Sequence, residues 1–283
     1  MIARRAEVVA ESSALRPAVA VMRGRRSLGA RLAACLPESR GRARLWVIVL
    51  LLTVWELAAR LFGDPLFIAP LTRACLAAIE LLQNRAVVDA ILLATFEILS
   101  GFVLAVAIGL FVGLAVGLNS FLLKTFHPII MMLYAIPQAP FLPLFVLVFG
   151  IGATSKIVYG FTHGIFVVIV TVVAGVQNID HSLLKAARSM GASNRQILTS
   201  IIAPTMLPSF FTGMRLGLIG VILGVLLAEL YVTSGGVGFF TSQFTHTFQP
   251  DKLFAMIAIL AIIAVTLNEL ARRAEIRASR WRG

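Results

Sequence analysis

The stretch AILLATFEILSGFVLAVAIGLFVGLAVGL, residues 90–118, decides what kind of molecule this is. Apart from Glu97 and a few hydroxyls it is continuously apolar. A helix of about 20 such residues crosses the roughly 30 Å of hydrocarbon in a bilayer, so this run is longer than one crossing needs and must tilt or project. Gly101, Ala105, Gly109, Gly113 and Gly117 recur every four positions along one helix face. Lipid gives no hydrophobic drive for helices to associate, so a stripe of small residues that permits close approach predicts a packing seam. The same continuity excludes a β-barrel, whose strands would alternate.

Working outward, five further apolar runs lie at about 45–62 (LWVIVLLLTVWELAARLF), 126–149, 156–175, 211–231 and 253–271. Hydrophobic residues make up 59% of the 283-residue chain and charged residues 13%, and the mean hydropathy is +0.94. That composition leaves too little polar sequence to cover six buried helices in water. The expected fold class is an all-α integral membrane protein with six transmembrane helices. Between the first two runs, 63–88 carries Pro65, Pro70, Glu80 and Arg85 among apolar positions, the pattern of an amphipathic helix at the membrane surface. Glu56 and Arg60, four apart, are placed to pair along the first helix.

The net charge of +12 is concentrated at the ends: ten Arg against three Glu in residues 1–44, and five Arg after 271. Arginine-rich flanks of apolar runs follow the positive-inside rule and attraction to anionic lipid, and no basic, aromatic-punctuated surface of a nucleic-acid binder accompanies them. The expected organisation is a basic cytoplasmic arm (1–44), a transmembrane domain (45–272) and a basic cytoplasmic tail (273–283). Segments 119–125 and 176–208 then lie inside, and 63–88, 150–155 and 232–252 outside. The basic arm is too long for a signal peptide, and no small-residue cleavage pattern follows the first run. Cys35 and Cys75 have neither metal nor evident disulfide spacing and read as small, semi-buried residues. His127, His163, His181 and His246 fall in separate elements, with no metal motif, catalytic constellation or phosphate-binding P-loop.

The most informative polar stretch is 176–215, VQNIDHSLLKAARSMGASNRQILTSIIAPTMLPSFFTGMR. Asp180 is placed to cap a short helix, Gly191 to end it with positive φ, and Ser193 with Gln196 to open another that stops by Pro204. A compact helix-turn-helix therefore projects from the membrane as a docking surface.

These residues carry a resemblance. Lys185-Ala186-Ala187, Gly191 and Pro204 resemble the cytoplasmic signature of the permease subunits of binding-protein-dependent ABC importers, in the branch serving nitrate, sulfonate, taurine and bicarbonate. Further matches are PLFVLVFGIGATSKI (143–157), TGMRLGL (212–218) and AELYVTSGGVGFF (228–240). The signature's Glu is Lys185 here. The resemblance implies a type I permease that does no catalysis and binds no cofactor itself. ATP and Mg would be held by two partner ATPase subunits. The other expected partners are a second permease copy, forming a homodimer, an extracytoplasmic solute-binding protein touching 63–88 and 232–252, and membrane lipid. The solute would be a small anion such as a sulfonate or nitrate, and the location the inner (plasma) membrane with both termini cytoplasmic. Carried over residue by residue, Ala186, Ala187, Gly191 and Ala192 would seat the docking helix in the ATPase, with Lys185, Arg188 and Arg195 at the rim. ATP binding would draw the spans outward-facing, and hydrolysis would reset them.

Candidates for the solute path come from YAIPQAPFLPLF (134–145), where Pro137, Pro140 and Pro143 remove backbone donors and force a kink or unwinding. Unwound backbone either lines a cavity, with Tyr134 and Gln138 adding polar groups, or is satisfied by neighbouring helices. Glu97 is the deepest ionisable residue, facing another helix, the cavity or the interface. Thr162 and His163 are further pore candidates, Glu229 lies near the outer end of its span, and Arg215 is an inner anchor. The alternative class is a six-span gradient-driven secondary transporter, which would show inverted repeats or charged relays deep in several spans.

Overall fold

The structure, a computed structural model, describes residues 40–64, 66–231 and 235–279, and every regular element among them is helical. The chain divides into two units, 1–61 and 62–283. In the first, the described part is helix α1, Arg40–Leu61. Its apolar side chains from Leu45 to Leu52 are exposed on all sides, as suits a helix whose solvent is lipid. Arg60 Nε donates to Glu56 Oε1 at 2.6 Å. The helix begins at Arg40, ahead of the expected start at 45. The remainder of the arginine-rich arm, with Cys35, lies outside the described residues.

The second unit contains α2 (Leu71–Gln83), α3 (Arg85–Leu118), α4 (Ser120–Ala135), a 3₁₀ turn (Ala139–Phe141), α5 (Leu142–Phe149) and α6 (Ala153–Gln177). It continues through α7 (His181–Ser189), α8 (Asn194–Ile197), a π turn (Leu198–Ile202), α9 (Ala203–Tyr231), α10 (Val237–His246) and α11 (Pro250–Ser279). Among the described residues, four helical stretches are long and apolar enough to cross a membrane: Arg85–Leu118, Ala153–Gln177, Asn194–Tyr231 and Pro250–Arg277. The α4–α5 pair, bent by 82°, makes a fifth if it is one broken span.

Three local expectations change. Segment 119–125, expected as a loop, is helical from Ser120, because the Asn119 side chain caps α4 by accepting from the N–H of Phe121 and Leu122. The short helix expected to stop by Pro204 instead runs on through the π turn into α9. Pro204 has no N–H to give the preceding turn, and the wider π turn is where the helix absorbs that loss. Cys75 is exposed, since α2 packs through Ala74, Ala77 and Leu81.

Helix α6 forms the axis of the second unit, with α3 on one side and α9 on the other. Added Cβ atoms at Gly109, Gly113 and Gly117 of α3 would meet Val168, Val172 and Val176 of α6. The numbering offset stays constant, so the two helices run parallel. On the other side, Gly160, Gly164 and Gly175 of α6 meet Val225, Val221 and Ser209 of α9, a falling series that makes this pair antiparallel. At Gly113 a Cβ would lie 2.7 Å from Val172 Cβ, a distance no side chain tolerates. Gly101, Ala105, Gly109, Gly113 and Gly117 are all buried. The missing side chains are what let the backbones of α3 and α6 meet.

Candidate functional site

Among the described residues, the fully buried charges are gathered at one place. Glu97 of α3, Lys156 in the first turn of α6 and Glu229 near the end of α9 are 0%, 3% and 1% exposed. Lys156 Nζ lies 2.6 Å from Glu229 Oε1 and 3.3 Å from Glu97 Oε1. The other Glu229 oxygen accepts the N–H of Gly238 at 2.9 Å, which ties α10 to the same cluster. Gly236 has no room for a side chain, because a Cβ would sit 2.6 Å from Glu229 Oε2. Neither Glu97 oxygen meets a hydrogen-bond donor among the described residues; its tie to the cluster is the ion pair with the Lys156 ammonium. Such a cluster is costly to bury, and removing one partner strands the others.

A second polar group braces the break between α4 and α5. Gln138 Nε2 donates to the Thr162 carbonyl at 3.2 Å, and Thr162 Oγ1 donates to Gln138 Oε1 at 3.1 Å. His163 Nδ1 lies 3.0 Å from the Tyr159 carbonyl, its ring against Tyr159. The unwound backbone is thus joined to α6 through a side-chain pair. Of the residues expected on a path, Gln138 and Thr162 are half-buried and come together here, while the half-buried His163 turns its ring to Tyr159 and Gly224 of α9. Tyr134, Pro137 and Pro140 are exposed. Glu97 belongs to the separate ionic cluster.

The third feature is α7. Asp180 caps it by accepting the N–H of Ser182 at 2.8 Å. It ends with Ala192 N–H bonding Ala187 C=O and Gly191 N–H bonding Arg188 C=O, both at 3.0 Å. These two bonds, with Gly191 at φ +78°, make a Schellman ending. Ala187 and Ala192, the pair that motif brings together, pack inward with Leu184 on Val176, Ile197 and Met206. Ala186 is exposed. So are Leu183 (52%) and Met190 (87%). Leu183, Ala186 and Met190 share one flank of the helix. Ser193 and Gln196 form a reciprocal capping box on α8, and Arg195 there is exposed.

Elsewhere, Arg215 Nε pairs with Glu275 Oε2 at 3.2 Å, linking α9 to α11. The segments 63–88 and 232–252 meet at a 270 Å³ groove lined by Glu80, Asn84, Gln243, Gln249 and Lys252.

Residues 105–275 match the family model described as the inner membrane component of binding-protein-dependent transport systems. The chain belongs to that family. It is a permease of the ABC importer class, with the sulfonate and taurine branch among its relatives. It is 34% identical over 243 residues to the taurine transport system permease protein TauC of Escherichia coli, covering 83% of this chain and 88% of that one. It is 31% identical over 182 residues to the putative aliphatic sulfonates transport permease protein SsuC of Bacillus subtilis, covering 64% and 66%. The fold is similar to that in an inward-facing structure of the MetNI methionine ABC transporter, with a TM-score of 0.55 at 20% identity over 69% of this chain and 99% of that one.

Lys156 is the functional candidate that sequence reasoning passed over. At the first position of an apolar run it reads as a residue snorkelling to the interface. The available signal was pairwise: two carboxylates in other spans need a cation, and Lys156 is the one that meets them.

Proposed function

We propose that this permease moves a small sulfonate-type anion inward, as two copies joined to two ATPase subunits and an extracytoplasmic binding protein. ATP and Mg are held by the ATPase subunits. Counting α1 as the first crossing and the α4–α5 pair as one broken span gives six, with both arginine-rich ends in the cytoplasm. α7 then faces the ATPase.

The observation that carries this reading is the exposed apolar flank of α7. Leu183, Ala186 and Met190 lie uncovered on a helix whose inner side, Leu184 and Ala187, is already packed. A nine-residue polar-loop helix gains nothing from an 87% exposed methionine unless a partner buries it. Arg195 supplies charge at the margin of that contact, and Gly191 fixes the turn that presents it. On the opposite side of the membrane, the groove around Glu80 and Lys252 is the landing place for the binding protein. Gln138 and Thr162 at the break, with His163 beside Thr162 in α6, supply the polar part of the path. The sulfonate preference is supported by the names of the relatives.

The test is purification of the detergent-solubilised chain from its native cells, with identification of every copurifying protein. An ATPase that copurifies with the native chain and is lost from Leu183→Asp/Met190→Asp is the expected result. Taurine and alkanesulfonates are then titrated into the copurified or neighbouring binding protein. A chain that never retains an ATPase yet transports when reconstituted alone overturns the proposal in favour of a gradient-driven carrier.

A further inference from the structure

Beneath the docking helix lies a groove of about 370 Å³. Its position is set by the ends of two spans, because Gly117 and Leu118 close α3 and Gln177 closes α6. Ser120 and Leu123 of α4 form one wall, and Val176, Ile179, Leu184, Ile197 and Ile202 make an apolar floor. The outer lip is basic: His181, Lys185 and Arg188 all line the groove. At 3.6 residues per turn these three stand on one flank of α7, opposite Leu183, Ala186 and Met190. The helix therefore has an apolar flank turned out and a basic flank turned towards the membrane boundary.

No carboxylate lines the groove, and among the described residues neither Lys185 nor Arg188 forms an ion pair. Asp180, adjacent to His181 in sequence, is not part of the lining; it caps the helix through the Ser182 N–H and faces His181, leaving Lys185 and Arg188 as the unpaired cations of the lip. A site with cations at its lip, an apolar floor, and a location where two spans meet water suits one chemistry: an anionic headgroup carried on acyl chains. A soluble anion would use the lip but leave the apolar floor unoccupied. We infer that His181, Lys185 and Arg188 with the floor beneath them form a binding site for an anionic phospholipid, lodged between the docking helix and the ends of α3 and α6. In the orientation proposed above, the lipid comes from the cytoplasmic leaflet, and it would brace α7 from the side that the ATPase does not touch.

The site is tested on the full-length permease without its ATPase, so failure here leaves the docking proposal standing. The protein is loaded in mixed micelles of equal phosphatidylglycerol and phosphatidylethanolamine, and retained lipid is read by native mass spectrometry. The wild type is expected to retain phosphatidylglycerol preferentially. Lys185→Glu/Arg188→Glu is expected to reduce that preference by about tenfold or more, given that each of the two basic contacts near an anionic surface contributes about fivefold. Lys185→Arg/Arg188→Lys, which preserves charge, is expected to restore it. The melting temperature of each variant separates loss of the site from loss of the fold. Equal retention of the two lipids, or a preference unmoved by charge reversal in a folded variant, overturns the inference. Displacement of the lipid by 10 mM-scale inorganic phosphate as effectively as by added phosphatidylglycerol would instead make this a site for soluble anions, and the lipid assignment would fall.

Discussion

The two ends of α6 solve opposite problems. At its first turn, Lys156 is sealed among Glu97 and Glu229, and the charges face only each other. Past its last turn, the chain turns at Asp180 into α7, where Lys185, Arg188, Leu183 and Met190 are all exposed. One end spends its charge internally and so fixes α3, α6, α9 and α10 together; the other leaves charge and apolar surface available to something else. Buried ionic contacts hold geometry because breaking them leaves an uncompensated charge, while exposed ones are worth little until a partner excludes water.

Lys156→Met should produce the largest effect. Leaving the buried acids without their cation costs about 3–5 kcal/mol, which in a domain of this size corresponds to a fall in melting temperature of about 10 °C. Measured by thermal unfolding in detergent, the triple variant Glu97→Gln/Lys156→Met/Glu229→Gln should lose less than the single one, because no unbalanced charge remains. A triple variant worse than the single would show that the cluster contributes more than charge balance. At the other end, Leu183→Asp/Met190→Asp should leave the melting temperature within about 2 °C, as surface substitutions do, while ATPase recovery falls about tenfold or more. A large melting shift there would erase the distinction between the two ends.

Smaller effects sharpen the exposed end. Ser193→Ala removes half of the capping box and should cost about 1 kcal/mol locally, read as faster amide exchange across α8 with the bundle unaffected. The Asp180 carboxyl is held below the usual carboxylate range, chiefly by the backbone N–H of Ser182 and then by that serine's side chain. Its folded-state pKa is depressed, so its contribution is present above the unfolded-state value and fades as pH falls through the folded one. Amide exchange in the first turn of α7, corrected for intrinsic rates, should therefore accelerate as a carboxylate titrates on acidification. Asp180→Asn should abolish that dependence.

How much of this could be read in the chain follows from the range over which each feature acts. The stripe Gly101 to Gly117 and the caps Asp180, Ser193 and Gly191 are local patterns, and their spacing alone placed the seam and the helix-turn-helix. The proline-rich break at 136–138 was legible as a disruption, but its bracing by Thr162 of another helix was not. The ionic cluster joins residues 97, 156 and 229, and nothing local in any of the three segments names the other two. Ala187 was legible only in part, for a related reason. A signature of small residues says that something approaches closely, and only the folded helix shows that for Ala187 it is the protein's own interior, with Ala186 left to face outward.

The π turn at Leu198–Ile202 can be viewed as a single extra residue spliced into an otherwise continuous helix. Deleting one residue there would return the segment to ordinary helical pitch with its flanks in nearly the same phase, whereas deleting one from the regular helix beside it would rotate everything upstream by about 100° and shift it by about 1.5 Å relative to α9. In that second case helix α7 would present a different flank to its surroundings. The phase between α9 and α7 is thus set by the number of residues joining them together with the pitch of this one turn.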